Sequence, residues 1–203
     1  MSNDVIVVPT GTANTASVLA AFGRLGVRAR VSTDPDEIGS ASGVVMPGVG
    51  TFGAAIGEID RIGVRQALLE RIEADKPTMA ICVGLQMFAE TSEESPGVRG
   101  LGVVASDMTR FPSLVAVPQL GWNMVEGSDS SRFVRSGWAY FANSYRLATA
   151  PGGWIPAMAT HGGPFVAAIE RGNVLACQFH PELSGPWGLA VIDAWIDATK
   201  GTL

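Results

Sequence analysis

Apolar and polar positions along this chain change their period twice. Over the first ninety residues, short apolar runs alternate with segments whose apolar residues recur three or four apart. Asp4–Pro9 (DVIVVP) is apolar and β-branched, the pattern of a buried strand. Asn14 then stands where a helix cap belongs, and Val18, Leu19, Phe22 and Leu25 fall on one helical face that Gly26 closes. Val27–Ser32 alternates as a second strand, and Gly43–Pro47 (GVVMP) is a third, buried one. A loop at Pro47–Gly50 leads into a helical region reaching about Ala74. Pro77–Cys82 (PTMAIC) reads as a fourth strand, and Gly84–Glu90 starts another helix. This β-α-β-α-β alternation predicts a doubly wound α/β fold, a mostly parallel sheet flanked by helices.

From Leu101 to Gln178 the period shortens to that of strands between Gly and Pro turns. Val115–Val117, Tyr140–Phe141, Phe165–Glu170 and Val174–Phe179 predict an added antiparallel layer. Trp187–Thr199 returns to the helical period, with Leu189, Ile192, Trp195 and Ile196 on one face. No internal repeat, low-complexity stretch or linker interrupts the pattern, so residues 1–203 are expected to form a single domain.

Composition narrows the function classes. Charged residues are 16% of the chain, against roughly 25% in average soluble proteins. Mean hydropathy is +0.25 and hydrophobic residues are 47%, values at odds with disorder. A formal net charge of -5, with no basic patch, argues against nucleic acid as a partner. The long uncharged stretches are broken by Gly, Pro, Ser and Thr, so no membrane span is expected. The start MSNDVIVVPT lacks the basic region and long apolar core of a signal peptide, which points to the cytoplasm and to reduced thiols.

The inventory of reactive side chains is small: Cys82, Cys177, His161 and His180. No Cys/His spacing suits a structural zinc, and no metal or cofactor is expected. Cys82 ends an apolar strand with Ala80 and Gly84 two residues to either side. This is the small-x-nucleophile-x-Gly pattern of a sharp strand-to-helix turn that lifts a side chain above the sheet. An inert cysteine at a buried strand end fits that spacing equally well. His180 ends another strand and is followed by Pro181 and Glu182. A carboxylate two residues on can orient one imidazole nitrogen and leave the other for a thiol, although a surface His beside a surface Glu has the same spacing. His161, in a THGGP turn, reads as a solvated loop residue, and Cys177 as core packing. Pro47-Gly48-Val49-Gly50 lacks a nucleotide-binding pattern; its glycines suit either an ordinary turn or a backbone N–H aimed at a substrate oxygen.

Together these motifs are more specific than any alone. PGVGTFG at Pro47–Gly53, CVGLQ at Cys82–Gln86, SEE at Ser92–Glu94, PQLGWN at Pro118–Asn123, YFANSY at Tyr140–Tyr145 and QFHPELSG at Gln178–Gly185 follow one another in a familiar order. Over essentially its whole length the chain resembles the triad-type (class I) glutamine amidotransferases. The resemblance implies a flavodoxin-like sheet and a glutaminase in which Cys82 attacks glutamine, His180 carries the proton and Glu182 orients His180. It implies an oxyanion hole from the Gly48, Val49 and Gly50 loop and the Val83 N–H, with Gln86 and Asn143, Ser144 and Tyr145 holding the glutamine backbone groups. The PGVG, GWN and HPExSG loops are similar to those of members that pass ammonia to a separate cyclase subunit of (β/α)8-barrel type in histidine biosynthesis, forming a heterodimer. Ala80 stands where the family usually has Gly, Gln119 and Asn143 where it has His, and Leu183 where it has Lys or Arg. An amidotransferase of another pathway, a non-catalytic binding subunit and a cysteine peptidase stay open as alternatives. A permanent partner further implies an apolar surface patch near Cys82.

Overall fold

The computed structural model describes residues 4–11 and 15–200. In chain order the elements are β1 (Val5–Val7), α1 (Thr15–Arg24), β2 (Ala29–Val31), α2 (Pro35–Ser40), β3 (Gly43–Gly48), α3 (Phe52–Arg61), α4 (Arg65–Glu73), β4 (Thr78–Cys82) and α5 (Val83–Gln86). They continue with β5 (Thr91–Ser92), β6 (Asp107–Arg110), β7 (Gln119–Val125), β8 (Gly137–Asn143), β9 (Tyr145–Leu147), β10 (Ile155–Thr160), β11 (Pro164–Arg171), β12 (Val174–Cys177) and α6 (Gly185–Lys200). The expected cap at Asn14 lies outside the described residues.

Strands β2-β1-β3-β4-β12 run parallel in that order. This half reads as near-continuous apolar sequence because helices cover both faces: β1, β3, β4 and β12 are buried along their whole length, and only the edge strand β2 is open to solvent. Gly43, at the start of β3, lies under α6; a Cβ there would sit 2.9 Å from the Trp195 ring. Beyond β12 the sheet continues antiparallel through β11 and β9 to β6, with β10 also paired to β11. Of the expected antiparallel strands, Phe165–Glu170 lies in β11 and extends the sheet sideways, whereas Val174–Phe179 supplies β12, which pairs parallel to β4 and antiparallel to β11. The separate layer is a ribbon of β7 and β8. Its inner face rests on the core, where Phe141 meets Phe165 and Phe179 edge-on at 5.7 and 5.9 Å.

Four local expectations differ from what forms. The helix after Cys82 stops at Gln86, because its carbonyls find other donors. Leu101, Val104, Gly102 and Gly100 donate to Met87, Phe88, Ala89 and Glu90 O. The region to Ala74 breaks in two at Gly63 (φ 73), whose turn closes with Val64 N donating to Ile59 O. Val115–Val117 is not a strand: Val115 N donates to Pro112 O, and Ala116 O receives a side chain. That side chain is His161, which is half-buried, 2.8 Å from Ala116 O and edge-on to Phe111; it is not a solvated loop residue.

Candidate active site

The parallel half delivers two strand ends side by side. β4 and β12 pair in register, Ile81 opposite Cys177, so the residues after each strand emerge together at the carboxyl edge of the sheet. Cys82 adopts φ 55 and ψ -108, a conformation L side chains rarely hold. The elbow is pressed against β3. A Cβ on Gly84 would stand 2.2 Å from Met46 O, and one on Gly48 2.6 Å from Val83 Cβ. Both glycines are therefore set by close backbone approach. Gly48 pairs with Cys82 across the strands and supports the elbow from below, outside the cavity lining.

On the other strand end, a turn of 3-10 helix over Pro181–Leu183 brings Glu182 back beneath His180. His180 Nδ1 lies 2.9 Å from Glu182 Oε1, and both side chains are buried. The imidazole shares the cavity lining with Cys82 and interacts with it electrostatically. Burial disfavours a charged ring here, yet the bonds and charges of Cys82 and Glu182 prevail and raise the His180 pKa to about 10. Ser184 secures this corner: its Oγ donates to His180 O at 2.6 Å and accepts from Tyr140 N at 2.9 Å. Cys177 is fully buried and its thiol is pushed well up, chiefly by desolvation, as suits a packing residue.

Cys82, His180 and Glu182 open onto a cavity of about 330 Å³, within the range of small-molecule sites. Val49, Gly50, Val83, Gln86, Asn143, Ser144 and Tyr145 also line it. Gln86 is anchored by its nitrogen, which donates to Gln178 Oε1 at 3.1 Å and Tyr145 O at 3.4 Å. Asn143 Nδ2 donates to the same Tyr145 O at 2.9 Å, while Asn143 Oδ1 is buried without a donor.

Four lining residues were not singled out as site residues from sequence: Glu94, Tyr140, Ala142 and Leu183. Glu94 accepts from Phe52 N at 2.6 Å and Ser95 Oγ from Gly53 N at 3.0 Å, so this turn holds the start of α3 and the loop before it. The SEE motif carried that signal. Tyr140 and Ala142 lie in the YFANSY motif, which marked the segment without giving either residue a role. Among the described residues no cluster of His, Cys, Asp or Glu suits a metal ion, and no helix is long and apolar enough to cross a membrane.

The family model "Glutamine amidotransferase class-I" matches residues 6–196, and the chain belongs to that family. Among its relatives is the imidazole glycerol phosphate synthase subunit HisH of Streptococcus gordonii, 37% identical over 194 residues that cover 93% of each chain. The chloroplastic imidazole glycerol phosphate synthase hisHF of Arabidopsis thaliana is 37% identical over 195 residues, which cover 93% of this chain and 33% of that protein. A crystal structure titled as a glutamine amidotransferase shares the fold, with a TM-score of 0.77 at 18% identity over 96% of this chain and 98% of the other.

Proposed function

We propose that this protein is the glutaminase subunit of an imidazole glycerol phosphate synthase, releasing ammonia from glutamine for histidine biosynthesis. The observation that carries the chemistry is the buried line Cys82–His180–Glu182 at the floor of a cavity. Cys82 attacks the glutamine carboxamide carbon, with its proton held on His180. The oxyanion is assigned to the Val83 N–H, in the first turn after the elbow, facing the Val49–Gly50 loop. The His180 imidazolium protonates the departing nitrogen, the C–N bond breaks, and ammonia leaves a γ-glutamyl thioester on Cys82. Water then attacks with His180 as base, giving glutamate and restoring the thiol. Glu182 holds the ring in register throughout.

Glutamine itself is recognised by acceptors. The nitrogen of Gln86 already serves Gln178 and Tyr145, so Gln86 offers substrate its Oε1. Together with Asn143 Oδ1, that set suits an α-ammonium. Ser144 and Tyr145 border the carboxylate end.

The ammonia goes to a cyclase subunit of (β/α)8-barrel type, which makes imidazole glycerol phosphate and aminoimidazole carboxamide ribotide. Two observations support this partner. The Arabidopsis relative is about three times as long as the matched region and carries a name joining hisH and hisF. The outer face of the β7–β8 ribbon is apolar and open: Leu120, Trp122 and Met124 lie opposite Ala142, Tyr140 and Trp138. Trp122 and Trp138 are more than half exposed, and the face runs through Tyr140 and Ala142 into the cavity. A heterodimer sealed on that face would receive ammonia without losing it to solvent. The reading sets the protein in the cytoplasm, where Cys82 and Cys177, both free, would stay reduced.

The test is glutamate formation from glutamine in the presence of the cyclase with its ligand. Cys82→Ala is expected to remove it; glutaminase activity that survives Cys82→Ala would sink the proposal.

A further inference from the structure

The sulfur of Cys82 has a neighbour that the triad does not use. Gln178 lies one residue beyond β12 and is completely buried. Its side-chain Nε2 is 3.6 Å from Cys82 Sγ, and its Oε1 accepts from Gln86 Nε2 at 3.1 Å. The amide is oriented by its surroundings. Tyr145 O can only accept, so it draws the nitrogen of Gln86, at 3.4 Å. Gln86 therefore presents a donor to Gln178, which must answer with its oxygen. The remaining N–H of Gln178 then points at sulfur. A directed chain of neutral amides runs from the cavity wall at Tyr145 through Gln86 and Gln178 and ends as a donor on the nucleophile.

We propose that Gln178 is a positioning residue for the glutaminase reaction, donating to the Cys82 sulfur in its anionic form and tying that form to the substrate-holding wall through Gln86. This rests on the reading of Cys82 as nucleophile. A buried thiolate is costly unless donors surround it. Cys82 is 96% removed from solvent, so water supplies little. His180, which lines the same cavity, is the cationic group that acts on the sulfur. Ala142 O, 4.0 Å from the sulfur, is an acceptor and so favours the neutral thiol. A donor opposing that carbonyl must be uncharged, because another cation would repel the imidazolium that has to protonate the leaving nitrogen. An amide meets both needs, and amides linked in series polarise one another. No proton passes through Gln178; its bond to sulfur is strongest before attack and weakens as the S–C bond forms and charge moves to the carbonyl oxygen.

The experiment measures alkylation of Cys82 by iodoacetamide across a pH series, with the adduct located by mass spectrometry. It is paired with kcat and KM for glutamine in the complex with the cyclase. Gln178→Met keeps the volume and removes the donor. Alkylation at neutral pH is expected to fall about tenfold and its pH midpoint to rise. The value of kcat should fall by about tenfold, with KM changing less than about twofold, the scale of one hydrogen bond to a charged group. A Cys82 pH profile equal to the parent's in a folded Gln178→Met variant overturns the proposal, as does a change confined to KM. Should Gln178→Met not fold, Gln178→Glu keeps the shape and the partner of Gln86 but ionises to an acceptor. Its alkylation should slow relative to the parent as pH rises, and a profile matching the parent's overturns the proposal. Loss of the nucleophile reading itself is seen separately, as glutaminase activity surviving Cys82→Ala.

Discussion

Glu182 meets His180 through one oxygen only; its Oε2 is buried with no partner. The carboxylate is thus held for the imidazole rather than for the surrounding fold, and its effect is readable in pH. The His180 pKa stands at about 10, above its ordinary value, so the native state keeps a proton that the unfolded chain releases. The stability this contributes is complete below about pH 6.5 and is lost as pH rises through about 10. Glu182→Gln withdraws one of the groups raising that pKa. The denaturation midpoint, followed from about pH 6 to 10, should decline less steeply in the variant than in the parent. At Gly84 the constraint is steric, since a methyl would meet Met46 O at 2.2 Å. Gly84→Ala is expected to lower stability by about 2 kcal/mol or more and to slow glutamate formation, measured by urea unfolding and steady-state turnover. Cys82, Gly84, His180 and Glu182 were all legible in the sequence because each is tied to a neighbour two residues away. The Gln178 contact was not, since 96 residues separate Gln178 from Cys82.

At the scale of elements, side chains decide where helices stop and how they attach. Asp34 caps α2 by accepting from Asp36 N at 2.9 Å, with Pro35 in the first turn. That signal stood in the sequence as Asp-Pro-Asp-Glu, yet α2 is too short to show an apolar period. Arg71, on α4, is buried and donates to Ile38 O at 3.0 Å and Pro77 O at 2.9 Å, joining α2 and the entry to β4. Desolvation lowers its pKa to about 10, so it remains charged at neutral pH. Arg71→Met would strand two carbonyls and is expected to cost about 2–4 kcal/mol in urea unfolding while leaving KM for glutamine unchanged. The opposite expectation applies to Ser184, whose hydroxyl links β8 to the His180 carbonyl. Ser184→Ala should cost about 1–2 kcal/mol and lower kcat, because it loosens the turn that carries His180.

For the whole molecule, the informative feature is the division of the sheet. Its parallel half holds Cys82, His180 and Glu182, and its antiparallel extension carries the ribbon that walls the cavity. The exposed apolar side of that ribbon meets the expectation of an open patch near Cys82. Trp122 packs edge-on to Tyr140 at 6.1 Å, a rigid anchor of the kind that dominates interfaces. Trp122→Ala is expected to weaken cyclase binding about 30-fold or more, by titration calorimetry, with the unfolding midpoint nearly unchanged.

The sequence by itself determined the alternating α/β order, the elbow at Cys82, the His180–Glu182 pair and the low charge. Each depends on residues close together in the chain, on period and turn chemistry that act locally. Tertiary structure alone decided that the helix after the elbow ends at Gln86, that His161 packs on Phe111, and that the later strands extend the sheet and fold a ribbon over its edge. It also decided that Gly48 supports the elbow while Leu183 and Tyr140 line the cavity. Those outcomes turn on which distant carbonyl, ring or backbone arrives within a few ångströms. Hydrogen-bond satisfaction and close packing between remote segments set that, and no local pattern encodes it.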